Sequence, residues 1–290
     1  MSQFLQFLFS GLTEGAVYAM VALGFTIIYN ASDVVNFAQG EFVMLGGMVT
    51  FFVNAAGVPL PLAAVIAILV AVIAGLALNR FAIEPARGAS VVNLIIITIG
   101  ASIFIKGLAQ LVFDKRFHRF PAFSGDEPIR VLDATILPQS LWVLFGACAI
   151  FLALWLFFAR TLVGKAITAV AANRLAAELV GISAKRMMAL SFALSAAIGA
   201  IAGILITPIS PTSVEVGTLL ALKGFAGAML GGMGNPLGAV AGGLIVGIVE
   251  KMSAGYVSTN YKDAVAFIII ILTLLVLPTG LFGKARVDRV

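Results

Sequence analysis

Charge, cysteine and histidine are all scarce in this chain of 290 residues. Charged side chains make up 11% of it and apolar ones 61%, with a mean hydropathy of +1.13, so a water-soluble fold would lack the polar groups needed to cover its surface. A bilayer is the solvent that suits such a composition. The only cysteine, Cys148, lies in an apolar run, which excludes an internal disulfide and a cysteine-rich metal site. His118 is the only histidine and has no second ligand at metal spacing, so it is expected to be an ordinary exposed side chain and no metal ligand is assigned. No Lys or Arg precedes Arg80, so the basic region of a secretory signal peptide is missing and the first apolar segment is expected to remain in the mature protein. A phosphate-wrapping G-x-x-x-x-G-K-[ST] loop is missing too: Gly164-Lys165-Ala166 and Gly283-Lys284-Ala285 lack the hydroxyl residue and the upstream context. The formal net charge of +5 sits in short clusters between apolar runs rather than along one face, which argues against a nucleic-acid partner.

What is present is a series of apolar runs long enough to cross a hydrocarbon core of about 30 Å. Six are regular: Phe4 to Tyr29, Leu60 to Asn79, Val91 to Phe113, Leu141 to Ala159, Met187 to Pro208 and Asp263 to Phe282. Two are irregular. Val35 to Val53 opens on Asn36, Gln39 and Glu41, and Lys223 to Glu250 is interrupted by Gly231, Gly232, Gly234, Asn235 and Pro236. The expected fold is all-α and polytopic, a single membrane domain over residues 1–290 with about eight segments, some broken or re-entrant.

Basic residues concentrate between Arg160 and Arg186, at Arg160, Lys165, Arg174, Lys185 and Arg186, and again at Lys284, Arg286 and Arg289. Both regions are expected on the cytoplasmic side. Lys223 to Glu250 then has to cross an even number of times, by re-entering or as a bent pair of short helices. Counting backwards, Arg80 to Ser90 is expected to be cytoplasmic and Asp114 to Gln139 to lie outside. Glycines stand four apart at Gly227 and Gly231, Gly234 and Gly238, Gly238 and Gly242, and Gly243 and Gly247, a spacing that serves close static packing or the sliding of one helix on another.

Within the basic loop, residues 164–182 read GKAITAVAANRLAAELVGI. As a helix between Ala171 and Ile182 this places Leu175, Leu179 and Ile182 on one stripe, with Asn173, Arg174 and Glu178 away from it and Gly181 near its end. Such a helix could lie in the bilayer interface or dock into a groove of a cytoplasmic ATPase.

Four ordered stretches resemble the ABC permeases for branched-chain amino acids. They are YAMVALGFTIIYNASDVVNFAQGEF from Tyr18 to Phe42, the loop with SAKRMMALSFALSAAIGAIAG from Ser183 to Gly203, MLGGMGNPLGAVAGGLIVGIVE from Met229 to Glu250, and YKDAVAFIIIILTLLVLPTGLFG from Tyr261 to Gly283. In length the chain is similar to the shorter, H-type subunit of that family. The resemblance implies an inner-membrane importer for branched-chain and related amino acids. Its expected partners are a second, M-type permease, two cytoplasmic ATPases that use ATP and Mg, and a periplasmic binding protein; this chain itself is expected to hold no cofactor and to catalyse no covalent chemistry. Urea, short amides and an ion-coupled carrier remain alternatives. Gln39 stands where such permeases often carry histidine, so a proton-linked role is not implied there.

Polar groups at membrane depth are the guides to a path, since each is costly unless paired or wet. Asn36, Gln39 and Glu41 precede an apolar helix and could meet an amino acid's carboxylate and ammonium, or could cap the helix. Gly232, Gly234 and Asn235 form a second break, which the repeat architecture of transporters would set opposite the first. Glu14, in the first span, fits a bond to another helix or a wet crevice better than a substrate contact.

Overall fold

A computed structural model describes residues 2–86, 88–125, 127–131 and 134–283. Lys284, Arg286 and Arg289, expected on the basic side, lie outside the described residues. The chain is a polytopic membrane protein. Among the described residues, six helices are long and apolar enough to cross a membrane: α1 (Ser2–Ser32), α3 (Leu60–Leu78, continued by a π-helical turn at Asn79–Ile83), α4 (Val91–Val112), α5 (Pro138–Arg160), α8 (Ala184–Ile206) and α10 (Pro236–Tyr256). Shorter helices complete the set, α2 (Gln39–Ala55), α6 (Leu162–Ala172), α7 (Arg174–Leu179), α9 (Val216–Gly231) and α11 (Ala264–Val276). A two-stranded hairpin, β1 (Ile129–Val131) against β2 (Ala134–Ile136), sits in the loop before α5.

Local chemistry sets the helix starts. Ser90, Thr161, Asn173, Ser183 and Asn235 each accept a hydrogen bond from a first-turn backbone N–H, and Pro138 and Pro236 stand where no N–H is needed. In the π-helical turn the Glu84 N–H donates to the Asn79 carbonyl at 2.8 Å. The run expected to span from Asp263 to Phe282 is helical only to Val276, because Pro278 cannot donate and Gly280 takes φ +75°.

Two ends can be traced. At the basic end, Glu84 pairs with Lys185 at the start of α8, and Asn30 near the end of α1 donates to the Gly234 carbonyl at 2.9 Å. That pair puts Glu84 on the same side of the molecule as the basic loop. At the opposite end, Gln6 of α1 bonds Thr135 of the hairpin, and His118 and Thr212 exchange two backbone hydrogen bonds of 2.8 Å. His118 is not an ordinary exposed side chain: it pairs with Asp114 at 2.5 Å and stacks on Phe51 with 4.3 Å between ring centroids. A hydrogen bond to His118 holds the Asp114 carboxyl below the usual carboxylate range.

Helix α10 lies antiparallel along α1, backbone to backbone. A Cβ on Gly11 would stand 2.8 Å from Ile248 Cα and one on Gly15 3.0 Å from Leu244 Cα. Gly243 faces Ala19 and Gly247 faces Gly15 more closely still. On its other side α10 meets α9 through Gly242 against Gly227 and Gly238 against Gly231. The four-residue glycine spacing is thus a close-packing seam. Of the two arrangements open to Lys223 to Glu250, the chain adopts the bent pair, with α9 starting at Val216 rather than Lys223.

Candidate functional site

Two of the helices are broken, and their N-termini meet inside the protein. Beyond α1 the chain turns at Asp33, whose φ is +55°, and runs back through a short non-helical stretch to Gln39, where α2 begins with every residue of its first turns buried. Beyond α8 it turns at the opposite end and returns through residues 208–214 to Val216, where α9 begins. The two starts touch at Gly40 and Gly217: a Cβ on Gly217 would lie 2.7 Å from the Gly40 carbonyl oxygen and 3.1 Å from Glu41 Oε2. The first N–H groups are taken up locally, that of Gln39 by the Asn36 carbonyl and that of Glu41 by Ala38, each at 3.1 Å, and that of Val216 by Ser213 at 3.2 Å, while the positive ends of the two helix dipoles meet at one buried point.

The polar side chains around it divide into tied and untied. Gln39, fully buried, donates from Nε2 to the Ser195 carbonyl at 3.1 Å. The Ser195 hydroxyl lies 2.5 Å from Gln39 Oε1 and 2.9 Å from the Gly24 carbonyl and, having one proton, donates to one at a time. Gln39 therefore fastens α2 to α8 and α1. Asn36 accepts from the Ala38 N–H at 3.1 Å through Oδ1, while its Nδ2 has no partner among the described residues although the residue is fully buried. Glu41, 1% exposed, accepts from the Ser102 hydroxyl at 2.9 Å through Oε1 and leaves Oε2 without a partner among the same residues. One unpaired donor and one unpaired acceptor thus flank the helix junction, in a setting where such groups are costly.

Helix α4 stands over this junction. Most of its surface is exposed apolar residues, but Thr98, Ser102, Lys106 and Gln110 recur every fourth residue along one inward stripe. Thr98 accepts from the Phe37 N–H at 3.2 Å, Ser102 reaches Glu41, and Lys106 and Gln110 both reach Glu215, the residue that precedes α9. The stripe therefore clasps both broken helices. Its spacing was readable in the sequence, and so were the acidic residues Glu41, in the first turn of α2, and Glu215, just before α9; the apolar character of the run masked the first, and the partnership of Lys106 with Glu215 needed the fold.

The second expected group lies elsewhere. Gly232 and Gly234 take φ of +100° and +91° in the turn between α9 and α10, where Asn235 caps α10 and donates to the Phe282 carbonyl at 3.0 Å. Helix α9, 16 residues and so about 24 Å long, separates that turn from Gly217. The break that opposes Asn36 to Glu41 is the return segment before Val216. Gly232, Gly234 and Asn235 instead lock the basic end, together with Leu281 and Phe282, which donate to the carbonyls of Leu230 and Gly231.

The basic loop holds two helices, α6 and α7, and the second is shorter than the helix expected between Ala171 and Ile182. Asn173, with φ −158°, ends α6 and caps α7 by accepting from the Ala176 N–H at 2.9 Å. Arg174 and Glu178 pair at 3.3 Å on the exposed surface, and Gly181 closes the segment with φ +88°. The stripe divides: Leu175 and Leu179 are 70% and 81% exposed, whereas Ile182 packs inward beside Ala177 and Ala184. At the foot of α3, a hydrogen bond from Lys185 holds the Glu84 carboxyl below its ordinary range, helped by Arg80.

A family described as the permease component of branched-chain amino acid transport systems matches residues 7–274. The chain is 36% identical to the high-affinity branched-chain amino acid transport system permease protein LivH of Escherichia coli strain K12, covering 99% of this chain and 98% of that one. It is 33% identical to the corresponding protein BraD of Pseudomonas aeruginosa, over the same shares. A more distant likeness, 25% identity over 93% of the chain and 84% of the relative, is to the ribose import permease protein RbsC of Escherichia coli.

Proposed function

The chain belongs to the family of permease components of branched-chain amino acid transport systems, and from that premise we propose that it is the membrane subunit of an ATP-driven importer of branched-chain amino acids. In this reading it works in the inner membrane beside a second permease, two cytoplasmic ATPases that use ATP and Mg, and a periplasmic binding protein. It supplies the path, and its partners supply the energy and most of the selection.

The observation that carries this reading is the meeting of two helix N-termini at Gly40 and Gly217, with Asn36 Nδ2 and Glu41 Oε2 unpaired beside them. The positive ends of two helix dipoles and an amide suit a carboxylate, and a carboxylate oxygen suits an ammonium. Occupancy by an amino acid satisfies groups that are otherwise buried at a cost. Gln39 serves the path by holding α2 in place, and the role of Gly232, Gly234 and Asn235 is to fix the far end of α9 rather than to touch cargo. Broken helices joined only at their tips can separate without unfolding, which is what alternating access asks of them.

Leu175 and Leu179 provide the docking face for an ATPase in this reading, since two large apolar side chains on a six-residue helix have no cover among the described residues. Asn173, Arg174, Glu178 and Gly181 shape that helix. Its pull passes to α8 through residues 182–184 and to α3 through the Lys185–Glu84 pair.

The test is reconstitution. With its partners, the chain should take up leucine, isoleucine and valine only when ATP is supplied inside the vesicle, and Leu175→Asp or Leu179→Asp should abolish substrate-stimulated ATP hydrolysis while membrane insertion stays normal. Gradient-driven uptake by the chain alone would instead identify an ion-coupled carrier, and normal stimulation in both variants would remove the docking role.

A further inference from the structure

A second constellation of charge lies on the other face of α9, outside the junction. A cavity of 300 Å³ opens at the end away from the basic loop, between α1, α9, α10 and the start of α11. That volume is at the small end of ligand sites, which run from about 300 to 1,000 Å³. Lys223 reaches into it from mid-α9 and pairs at 2.7 Å with both Glu250 and Asp263. Its ammonium also stands 5.5 Å from the centroid of the Tyr18 ring. Glu14 pairs with Lys251 at 2.5 Å and accepts from the Tyr18 hydroxyl at 3.2 Å. Lys262 lies at the rim, and Val17, Ile206, Leu219 and Leu220 form an apolar wall.

Glu250 singles this cavity out from a structural ion network. It is 1% exposed, and while Oε1 accepts a hydrogen bond from Lys223, Oε2 has no hydrogen-bond partner among the described residues. A carboxylate oxygen buried without a donor is costly, and the donor it lacks is what a bound ammonium would bring. Lys223 retains one N–H beyond its two ion pairs, and Lys262 adds a cation at the mouth.

We propose that this cavity is a receiving site for an aliphatic α-amino acid, in which Glu250 holds the ammonium, Lys223 and Lys262 hold the carboxylate, and the apolar wall takes the side chain. The proposal rests on the reading of the chain as a subunit of an amino acid importer. Val216, the first residue of α9, also lines the cavity, so a ligand here is separated from the Gly40–Gly217 junction only by the N-terminus of that helix. Cargo released at this end would be held once before it reaches the path.

The test uses the assembled complex with Cys148→Ala to remove the native thiol and Ser210→Cys, an exposed near-isosteric change on the cavity lining. The rate at which a small methanethiosulfonate reagent labels residue 210 is measured against added L-leucine, 4-methylpentanoate (no ammonium) and 3-methylbutylamine (no carboxylate). Leucine should slow labelling, and each analogue should need a concentration at least about tenfold higher. Glu250→Gln should bring 4-methylpentanoate to within about twofold of leucine, Glu250→Asp should preserve the gap, and Lys262→Ala should narrow the gap for 3-methylbutylamine. The same preparation is assayed for leucine uptake. If it imports leucine yet leucine never protects, the cavity is not a site and the importer reading stands; if it imports none but leucine protects, the importer reading fails and the site stands. Glu250→Gln discriminating as the parent does, or, where that variant does not assemble, Lys262→Ala doing so, overturns the proposal.

Discussion

The two breaks in the membrane helices invite comparison, because each delivers a helix N-terminus and an acidic side chain to the same meeting point and yet they are finished differently. At the first, Asn36, Gln39 and Glu41 are buried, Gln39 is fully engaged, and the other two each retain an unpaired atom. At the second, Glu215 is 61% exposed on its side chain and is met by Lys106 and Gln110. One break stores unsatisfied polarity inside the protein and the other has its charge answered at the surface. A cost carried at only one of two otherwise matched positions marks the one where a ligand's own groups would matter.

The largest effect is expected where the two breaks touch. Gly40→Val places a side chain against the Gly217 carbonyl, and two backbones cannot yield as a flexible side chain would. Overpacking of this kind costs about 1–3 kcal/mol or more, so uptake by the reconstituted complex should fall to about a tenth or less, with a lower thermal midpoint. A variant as stable and active as the parent would mean that the helix tips do not meet.

Next comes Glu41→Gln, which keeps an acceptor for Ser102 and loses the charge. Exchanging a charge-assisted hydrogen bond for a neutral one loses about 1 kcal/mol, so uptake of leucine, isoleucine and valine should slow together about fivefold, with their order and the complex's assembly unchanged. A changed order would make Glu41 a selecting residue; an unchanged rate would take it out of the path. Glu215→Gln is the counterpart at the second break. An exposed pair contributes little and is screened by salt, so uptake should stay within about twofold, and an effect as large as that of Glu41→Gln would erase the distinction between the breaks.

The smallest effect is expected away from both, at Glu84. Its folded-state pKa is depressed by Lys185, so the pair's contribution is complete above the ordinary glutamate value of about 4.3 and is lost as pH falls through the lower folded value. Glu84→Gln should therefore leave the pH profile of uptake between about 6 and 8 unmoved in shape. A profile that bends there would place the titrating group elsewhere.

The long spans were legible in the sequence because an uninterrupted apolar run and the hydrocarbon thickness decide them together. The junction was half legible. Asn36 and Glu41 stood out as polar residues opening an apolar helix, but the segment that answers them, before Val216, offers no glycine cluster to announce it. Gly231 to Pro236 does, and drew attention to a turn at the end of α9 instead: glycine and proline report a change of backbone direction, not its depth. The helix of the basic loop was expected from Ala171 because the Ala-rich sequence carries its period through Asn173, and only the cap geometry reveals the stop there. Lys223 and Glu250, 27 residues apart, become partners only through the close approach of α9 and α10.

That approach, and the matching one between α1 and α10, has a mechanical consequence. Where glycine faces glycine there is no layer of side chains to shear, so α1 and α10 behave as one stiff beam, about 31 Å long on the α10 side. A displacement imposed at one end of a beam arrives at the other. One end bears the Asn30–Gly234 tie beside the basic loop, and the other, past Glu14 and Glu250, bears Phe7 against Gly255. Events at the two faces of the membrane are thereby joined by a lever, and the shorter, broken helices are left as the parts free to swing against it.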